Sequence, residues 1–200
     1  MNTAVIGFGG AGCRVLNLLI AQGFPADFIA VDNDVRSLCP CFAHRKILID
    51  PDYKIKAMDR LDPEHIFPPA MRDAANSFLA GGASLRDALQ NAEKTIWVAG
   101  LGGSFGSGVL PVALNDFIHC RETNPETVAA VSLPFSWQGP VHRNNAHLAL
   151  RKLAENGQSN IHVVRNDDLL PKIGKMPVDY AFIRVSYEMA NLISGATAIS

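Results

Sequence analysis

The stretch that most constrains the fold of this chain is Thr95–Pro111, TIWVAGLGGSFGSGVLP. Its first five residues are apolar, β-branched or aromatic, which predicts a buried strand, and apolar residues resume at Val109, which predicts a helix. Between them lies a loop with five glycines and two serines. A strand joined to a helix by such a loop is a common phosphate site, because glycine lets backbone N–H groups approach an anion and the helix N-terminus carries partial positive charge.

A Walker motif, a tight turn and a nucleophile elbow are the alternatives for this loop. It contains no lysine, so it is not the Walker GxxxxGK[ST] motif, and a phosphate would be held by backbone N–H groups and hydroxyls. A tight turn would need glycine, but seldom five of them. Gly102-x-Ser104-x-Gly106 matches the nucleophile elbow of α/β-hydrolases. That fold needs an acid followed by a histidine near the end of the chain. The last histidine here is His162, and the acids that come after it have no histidine following them.

A second glycine motif lies near the start of the chain. The strand Thr3–Gly7 runs into Gly7-x-Gly9-x-x-Gly12, and Asp32 stands twenty residues later, at the end of the next predicted strand. This pattern is a dinucleotide fingerprint, in which the glycines approach a pyrophosphate and the acid binds a ribose hydroxyl. An NAD-dependent enzyme is therefore an open alternative, although it leaves the loop after Ala99 unexplained.

Apolar strand segments alternate with helical segments along the chain. The predicted strands are Thr3–Gly7, Asp27–Val31, Lys46–Ile49, Thr95–Ala99, Thr127–Leu133 and Asn160–Val164. The predicted helices run from Val15 to near Gly23, from Pro69 to Leu79, from Leu85 to Glu93, from Val109 to His119, from Val141 to Glu155 and from Val178 to Ile193. Because most strands are apolar throughout, we expect an α/β fold with a doubly wound, mostly parallel, Rossmann-like sheet. Ligands should bind beyond the carboxyl ends of the strands, where both glycine loops lie.

Length and composition narrow the class of protein. Two hundred residues without a repeat or a linker predict one domain, 1–200, with no second domain. The net charge of −1 gives no general attraction to nucleic acid, and the apolar runs are too short for a membrane span. No signal peptide precedes the first strand and the four cysteines show no secretory pattern, so we expect a reduced, cytoplasmic protein.

Two segments carry weaker signals. Cys39, Cys41 and His44 could contact zinc, but a fourth ligand is not evident, so we interpret them as ordinary loop residues and expect no metal site. The segment between Asp50 and Pro69 holds four prolines and scattered charges, which predicts a loop.

The two glycine loops together resemble those of the FtsZ/tubulin family. Ala99–Pro111 is similar to its tubulin signature loop, AGMGGGTGTGAAP, and Val5–Asn17 is similar to its first nucleotide loop. Phe28–Asp34 (FIAVDND) resembles the strand end FIAINTD. Pro134–Gly139 (PFSWQG) resembles PFxFEG, and Arg165–Leu170 (RNDDLL) resembles PNDxLL. The resemblance runs almost collinearly along the chain, with a gap in the middle.

This resemblance implies a domain that binds GTP or GDP, with strand order 3-2-1-4-5-6 and with Mg²⁺ as a candidate companion ion. It ends at the family's long central helix, which Ala181 and Phe182 open here. The phosphates would contact both glycine loops, the ribose would meet Gln138, and the base would contact Asn166 and stack on Phe182. The nucleotide-binding residues implied in this way are Gly9, Gly10, Ala11, Gly12, Arg14, Asp32, Gly102, Gly103, Ser104, Phe105, Gly106, Ser107, Gln138, His142, Asn166 and Phe182.

Several of these residues depart from the family's pattern. Phe105 stands where the signature loop has a threonine, which removes a hydroxyl and inserts an aromatic ring. Arg14 replaces the asparagine of the first loop and could compensate the charge of a phosphate. Gln138 replaces the ribose-binding glutamate, and His142 falls where the family has arginine.

Other departures concern base choice and catalysis. Ser186 and Tyr187 stand where an Asn-Asp pair would contact guanine, and no γ-phosphate sensor loop is recognisable in residues 50–69. The sequence ends at Ser200, before the family's catalytic loop, so we expect no catalytic residue and at most a slow GTPase. The resemblance implies cytoskeletal or cell-division assembly, with a second copy or a full-length relative as partner. A nucleotide-free adaptor, with Phe105 filling the pocket, is the second alternative beside the NAD enzyme.

Overall fold

The computed structural model of the protein describes residues 2–50, 67–119, 125–158 and 160–197. Their strands are β1 (Thr3–Phe8), β2 (Asp27–Asp32), β3 (Arg45–Leu48), β4 (Lys94–Gly100), β5 (Glu126–Leu133) and β6 (Ile161–Arg165). Their helices are α1 (Gly9–Ala21), α2 (Val35–Leu38), α3 (Pro69–Gly81), α4 (Ala83–Ala88), α5 (Ser104–His119), α6 (Pro140–Glu155), α7 (Leu170–Ile173) and α8 (Val178–Thr197). Short 3₁₀ turns follow β5 and β6, at Ser136–Gln138 and Asn166–Leu169.

These strands form one parallel sheet in the order β3-β2-β1-β4-β5-β6. The doubly wound α/β fold and the strand order implied by the resemblance are thereby confirmed. Phe8 of β1 pairs with Ala99 of β4, so these two central strands end side by side. The chain leaves β1 toward β2 and leaves β4 toward β5, in opposite directions along the sheet. The order of the strands therefore reverses between β1 and β4, which is where open α/β sheets form their binding crevice.

Both faces of the sheet are covered by helices. Ile6 and Trp97 belong to one apolar cluster, which includes side chains of α3, α5 and α6. Their chain neighbours Val5 and Val98 belong to a second cluster, which includes side chains of α1 and α8. Successive residues of a strand point to opposite faces, so the continuous apolar runs of β1 and β4 are buried on both sides.

Two helices begin earlier than the sequence predicts. The structure starts α1 at Gly9 rather than Val15, and α5 at Ser104 rather than Val109. Glycine has a poor intrinsic helix propensity, which is why both glycine motifs resemble loops in the sequence. Tertiary packing overrides that preference, and the glycines form the first turns of both helices.

Close backbone packing explains several of these glycines. A Cβ atom on Gly12 would lie 2.7 Å from the carbonyl carbon of Gly7, so α1 can cross the end of β1 only without a side chain there. A Cβ atom on Gly108 would overlap the backbone of Met71, where α5 meets α3. Glycine at both positions lets the two backbones approach more closely than any other residue would allow.

The remaining differences between the predicted and the observed elements are small, and one predicted segment lies mostly outside the described residues. Helix α4 ends at Ala88 rather than Glu93, and a turn follows. Residues 51–66 of the predicted proline-rich loop are not among the described residues. Within the part of the chain that is described, none of the helices is long and apolar enough to cross a membrane.

Candidate functional site

A cavity of about 400 Å³ lies beyond the carboxyl ends of β1 and β4. It occupies the point at which the strand order reverses, the usual ligand position in open α/β sheets. Most of the nucleotide-binding residues predicted from the sequence line its wall: Gly9, Gly10, Ala11, Arg14, Asp32, Gly103, Ser104, Phe105, Gly106, Gln138, His142, Asn166 and Phe182.

Three predicted residues lie behind the wall instead. Gly12 packs against Gly7, as described above. Gly102 has a φ of +126° and is buried, and its N–H donates a hydrogen bond to the Ser107 hydroxyl at 2.7 Å. The Ser107 side chain is completely buried. Gly102 and Ser107 therefore shape the turn between β4 and α5, and their contact with a ligand remains a prediction.

The N-termini of α1 and α5 meet at the cavity. The first residues of both helices, Gly9 and Ser104, are part of its wall, as is Gly103 immediately before α5. A Cβ atom on Gly103 would have no atom within 4 Å, so the cavity is open at this point. The first N–H groups of a helix have no partner inside the helix and carry partial positive charge. The partial positive charge at this end of the cavity therefore favours an anion.

Positive charge on the wall comes from Arg14. Among the described residues that line the cavity, Arg14 is the sole arginine or lysine. Its guanidinium carbon lies 5.8 Å from the ring centroid of Phe182. Desolvation by its surroundings lowers the pKa of the guanidinium, which nevertheless stays charged at physiological pH. A guanidinium on the same wall as the helix N-termini adds to their attraction for an anion.

Asp32 lies on the same wall but is already engaged. Its Oδ1 accepts hydrogen bonds from the backbone N–H groups of Asn33, at 2.8 Å, and Asp34, at 3.3 Å. The residue is 3% exposed, and this burial raises the pKa of its carboxyl, against hydrogen bonds from Ser37 and the two backbone groups. Asp32 thus stabilises the turn after β2, and its contact with a ribose remains a prediction.

An aromatic cluster borders another part of the cavity. Phe182 packs edge-on against Phe135 and Trp137, with ring centroids 5.9 Å apart in both cases. The side chain of Asn166, which is 4% exposed, lines the cavity as Phe182 does, and its buried Oδ1 has no hydrogen-bond partner among the described residues. An aromatic ring and an available amide oxygen on one wall suit a planar base that carries N–H donors.

Two polar side chains near this cluster, Gln138 and Ser186, already form hydrogen bonds within the protein. Gln138 accepts a hydrogen bond from the Phe135 N–H at 2.8 Å, so its carbonyl oxygen closes its own turn. The Ser186 hydroxyl donates to the carbonyl of Phe182 at 3.0 Å, one helical turn earlier. Tyr187 is 42% exposed and is not one of the lining residues. The polar side chains near Phe182 thus show no arrangement specific to one kind of base.

Phe105, the aromatic residue of the second glycine motif, belongs to the core as well as to the wall. It is 7% exposed and lies in the same apolar cluster as Phe8 and Trp97. Its ring Cδ1 would lie 3.9 Å from a Cβ atom on Gly9. Phe105 therefore forms an apolar floor near the two helix N-termini, and the cavity remains open beside it.

Some residues of the site are not evident from the sequence. Ser37 and Ser132 line the cavity, and Asn145 holds the turn before α5 from behind. Isolated serines carry no recognisable pattern. Asn145 carries none either, because the partner of its hydrogen bond, Gly102, lies 43 residues away in the sequence.

The zinc alternative finds no support in the geometry. Cys41 is buried with its thiol 3.8 Å from the carbonyl of Cys13, whereas Cys39 is exposed. In the described ranges, no group of three His, Cys, Asp or Glu side chains is arranged to hold a metal ion.

Comparison with known proteins indicates the family of this chain. The sequence model described as "Tubulin/FtsZ family, GTPase domain" matches residues 2–174. Cell division protein FtsZ 1 of Pyrococcus woesei is 32% identical over 196 residues, which cover 98% of this chain and 50% of that protein. Cell division protein FtsZ 1 of Halobacterium salinarum is 34% identical over 189 residues, covering 94% and 44%. The chain spans about half the length of the curated relatives it matches.

Solved structures agree with these sequence matches. An FtsZ of M. jannaschii, described as an empty dimer, superposes with a TM-score of 0.80 at 26% identity, over 98% of this chain and 54% of that one. CetZ2 of Haloferax volcanii, described as a GTPgS-bound protofilament, gives a TM-score of 0.76 at 21% identity, over 96% and 57%, and supports the fold alone. On the family match and the identity over nearly the whole chain, this protein belongs to the tubulin/FtsZ family.

Proposed function

We propose that this chain binds a guanine nucleotide, GTP or GDP, in the cavity beyond β1 and β4. The observation that carries the proposal is the meeting of two helix N-termini at one cavity, with Gly103 open beside them. Phosphates suit this end, because unpartnered N–H groups and Arg14 both attract negative charge. The base suits the part of the wall formed by Asn166 and Phe182. The family's description as a GTPase domain supports guanine over other bases.

Two glutamate substitutions test the position of the phosphates. Gly103→Glu would bring a carboxylate to the cavity at a point where a Cβ atom meets nothing within 4 Å. Gly195, on α8 and not among the lining residues, is equally open and provides the matched control, Gly195→Glu. In equilibrium dialysis with GDP, we expect the first variant to bind about tenfold more weakly or worse, through like-charge repulsion, and the control to match the wild type. Equal affinity of all three proteins would contradict the proposal.

We further propose that the chain alone hydrolyses GTP slowly. Two carboxylates belong to the described wall, and both are engaged: Asp32 by backbone N–H groups and Asp34 by Arg36, with a nitrogen–oxygen distance of 3.0 Å. A general base must be free to accept a proton from water. Mg²⁺ would be held chiefly by the nucleotide's own phosphates and by water.

Phosphate release measured over a range of protein concentrations tests this point. We expect release to stay near the blank with Mg²⁺ present, at low and at high concentration of the chain. Turnover that rises with the concentration of this chain alone would contradict slow hydrolysis. Turnover only after addition of a full-length FtsZ relative would instead indicate that the relative completes the site.

We also propose that the chain associates with itself or with a longer relative in an assembly of the cell-division type. The solved FtsZ structure of M. jannaschii, at 26% identity, is described as a dimer, which supports this class of behaviour. Sedimentation velocity with and without GTP, and with a full-length FtsZ, would detect either association. The comparisons give no support to an NAD-dependent enzyme or to a nucleotide-free adaptor.

A further inference from the structure

Asn145 is a buried amide whose presence folding alone does not explain. It lies on α6, is 7% exposed, and its Nδ2 donates a hydrogen bond to the carbonyl of Gly102 at 2.9 Å. Its Oδ1 is buried and has no hydrogen-bond partner in the described part of the chain. A buried acceptor without a partner lowers stability, so Asn145 carries a cost that its single hydrogen bond to Gly102 has to offset.

The contact made by Asn145 completes a clamp on Gly102. The N–H of Gly102 donates to the Ser107 hydroxyl at 2.7 Å, and its carbonyl accepts from Asn145. A Cβ atom on Gly102 would lie 3.3 Å from Pro134 and 3.4 Å from His142, so the residue is also confined by packing. Gly102 is therefore held by α5 on one side and by α6 on the other.

The hydrogen bond from Asn145 to the Gly102 carbonyl determines where the N–H group of Gly103 points. The described residues contain no cis peptide bond, so the Gly102 carbonyl and the Gly103 N–H point in opposite directions across one planar unit. Asn145 draws the carbonyl toward α6, and the Gly103 N–H consequently points away from α6. Gly103 lines the cavity and has open space around it.

We propose that Asn145 is a positioning residue, which holds the Gly102 carbonyl and thereby aims the Gly103 N–H at the anionic group of a bound ligand. The proposal rests on the proposed nucleotide function and adds a residue to it that touches neither base nor phosphate. It also accounts for the unpartnered Oδ1. The site needs the Nδ2 group of Asn145 as a donor to Gly102, and the buried Oδ1 lowers stability as a consequence.

Two leucine variants separate this role from a structural one. Asn145→Leu keeps the shape of the side chain and removes both its donor and its unpartnered acceptor. Asn156→Leu is the matched control, since Asn156 ends α6 and its Nδ2 donates to the carbonyl of Pro111 at 3.0 Å, away from the cavity. If Asn145→Leu does not fold, Asn145→Ala replaces it.

Isothermal titration with GDP and with guanosine provides the discriminating measurement. For Asn145→Leu we expect GDP to bind about tenfold more weakly and guanosine to bind as to the wild type. The melting temperature should change little, because the variant removes the unpartnered Oδ1 but leaves the Gly102 carbonyl without its donor. We expect Asn156→Leu to leave the ratio of the two affinities unchanged. Parallel losses for both ligands, or no loss for either, would overturn the positioning role.

An NMR readout keeps this result distinct from failure of the proposed function. The residual dipolar coupling of the Gly103 N–H bond reports the orientation of this peptide group without any ligand. We expect this coupling to change in Asn145→Leu, as the N–H bond moves, and to stay unchanged in Asn156→Leu. If the bond stays in place in both, the positioning role is overturned. If it moves but neither GDP nor pyrophosphate binds the wild type, the positioning role stands and the nucleotide proposal fails.

Discussion

Asp32 shows how a single residue of the wall couples the site to stability. Its carboxylate is buried at the end of β2, and burial raises its pKa despite three hydrogen bonds to it. A raised pKa means that the folded state binds a proton more readily than the unfolded state does. Ionised Asp32 therefore lowers stability at neutral pH, and this cost disappears as the pH falls through the raised folded pKa toward the unfolded value.

We expect Asp32→Asn to increase the free energy of unfolding at pH 7, because asparagine can accept the same backbone hydrogen bonds without burying a charge. The advantage over the wild type should shrink as the pH is lowered toward the ordinary aspartate value of about 4. Urea denaturation at a series of pH values measures both effects. Asp34→Asn is the control: it should lower the free energy of unfolding at pH 7, because the hydrogen bond from Arg36 lowers the pKa of Asp34 in the folded state. Loss of stability in Asp32→Asn at pH 7 would contradict this account.

Phe105 belongs to the wall of the cavity and also to the apolar core. Because its ring is part of the core, Phe105→Ala should reduce the free energy of unfolding by about 3 kcal/mol. Phe42, which is 71% exposed, provides the control: Phe42→Ala should change stability by less than about 0.5 kcal/mol. Chemical denaturation compares the two. A loss of under about 1 kcal/mol for Phe105→Ala would show that the ring does not pack as described.

At the scale of the element, glycines determine how closely α5 approaches its neighbours. Gly108→Ala should destabilise the protein by about 2 kcal/mol, because its Cβ atom would overlap the Met71 backbone of α3. Gly195→Ala, on α8, meets no atom within 4 Å and should instead stabilise it by about 0.5 kcal/mol, through the better helix propensity of alanine. Thermal denaturation measures both changes. The same sign for both variants would show that close approach of α5 and α3 does not require Gly108.

The sequence predicts the elements well because their patterns are local. The apolar runs of β1 and β4 and the fingerprint ending at Asp32 suffice for the parallel sheet and the position of the cavity. The first turns of α1 and α5 are not predictable in this way, because glycine adopts a helix there only through contacts with other elements. Helix propensity is a weak prior when tertiary packing decides.

The candidate site is predictable in part for the same reason. Glycine motifs reveal that a phosphate could bind, and Gly103 lies open as expected of such a loop. The hydrogen bond from Asn145 spans 43 residues, and no local pattern announces it. The burial of Ser107 behind the wall likewise depends on how α5 packs against β4. Assignment of 1–200 to one domain, and of individual residues to the nucleotide, remains a prediction.

For the molecule as a whole, the site follows from the reversal of strand order. Helix α1 leads from β1 to one half of the sheet, and α5 leads from β4 to the other. Their N-termini consequently meet over the gap between these two strands, and β2, β5 and β6 bring Asp32, Pro134 and Asn166 to the same edge. The described residues thus form a crevice at the carboxyl edge of the sheet.

Calorimetric titration of the wild-type chain with GDP, GTP, ATP and NAD measures whether this crevice binds guanine nucleotide. We predict micromolar to millimolar affinity for GDP and GTP, as about 4–8 kcal/mol of binding free energy would give. We also predict weaker binding of ATP and NAD. Tighter binding of NAD than of either guanine nucleotide, or no heat from any of the four ligands, would contradict the account.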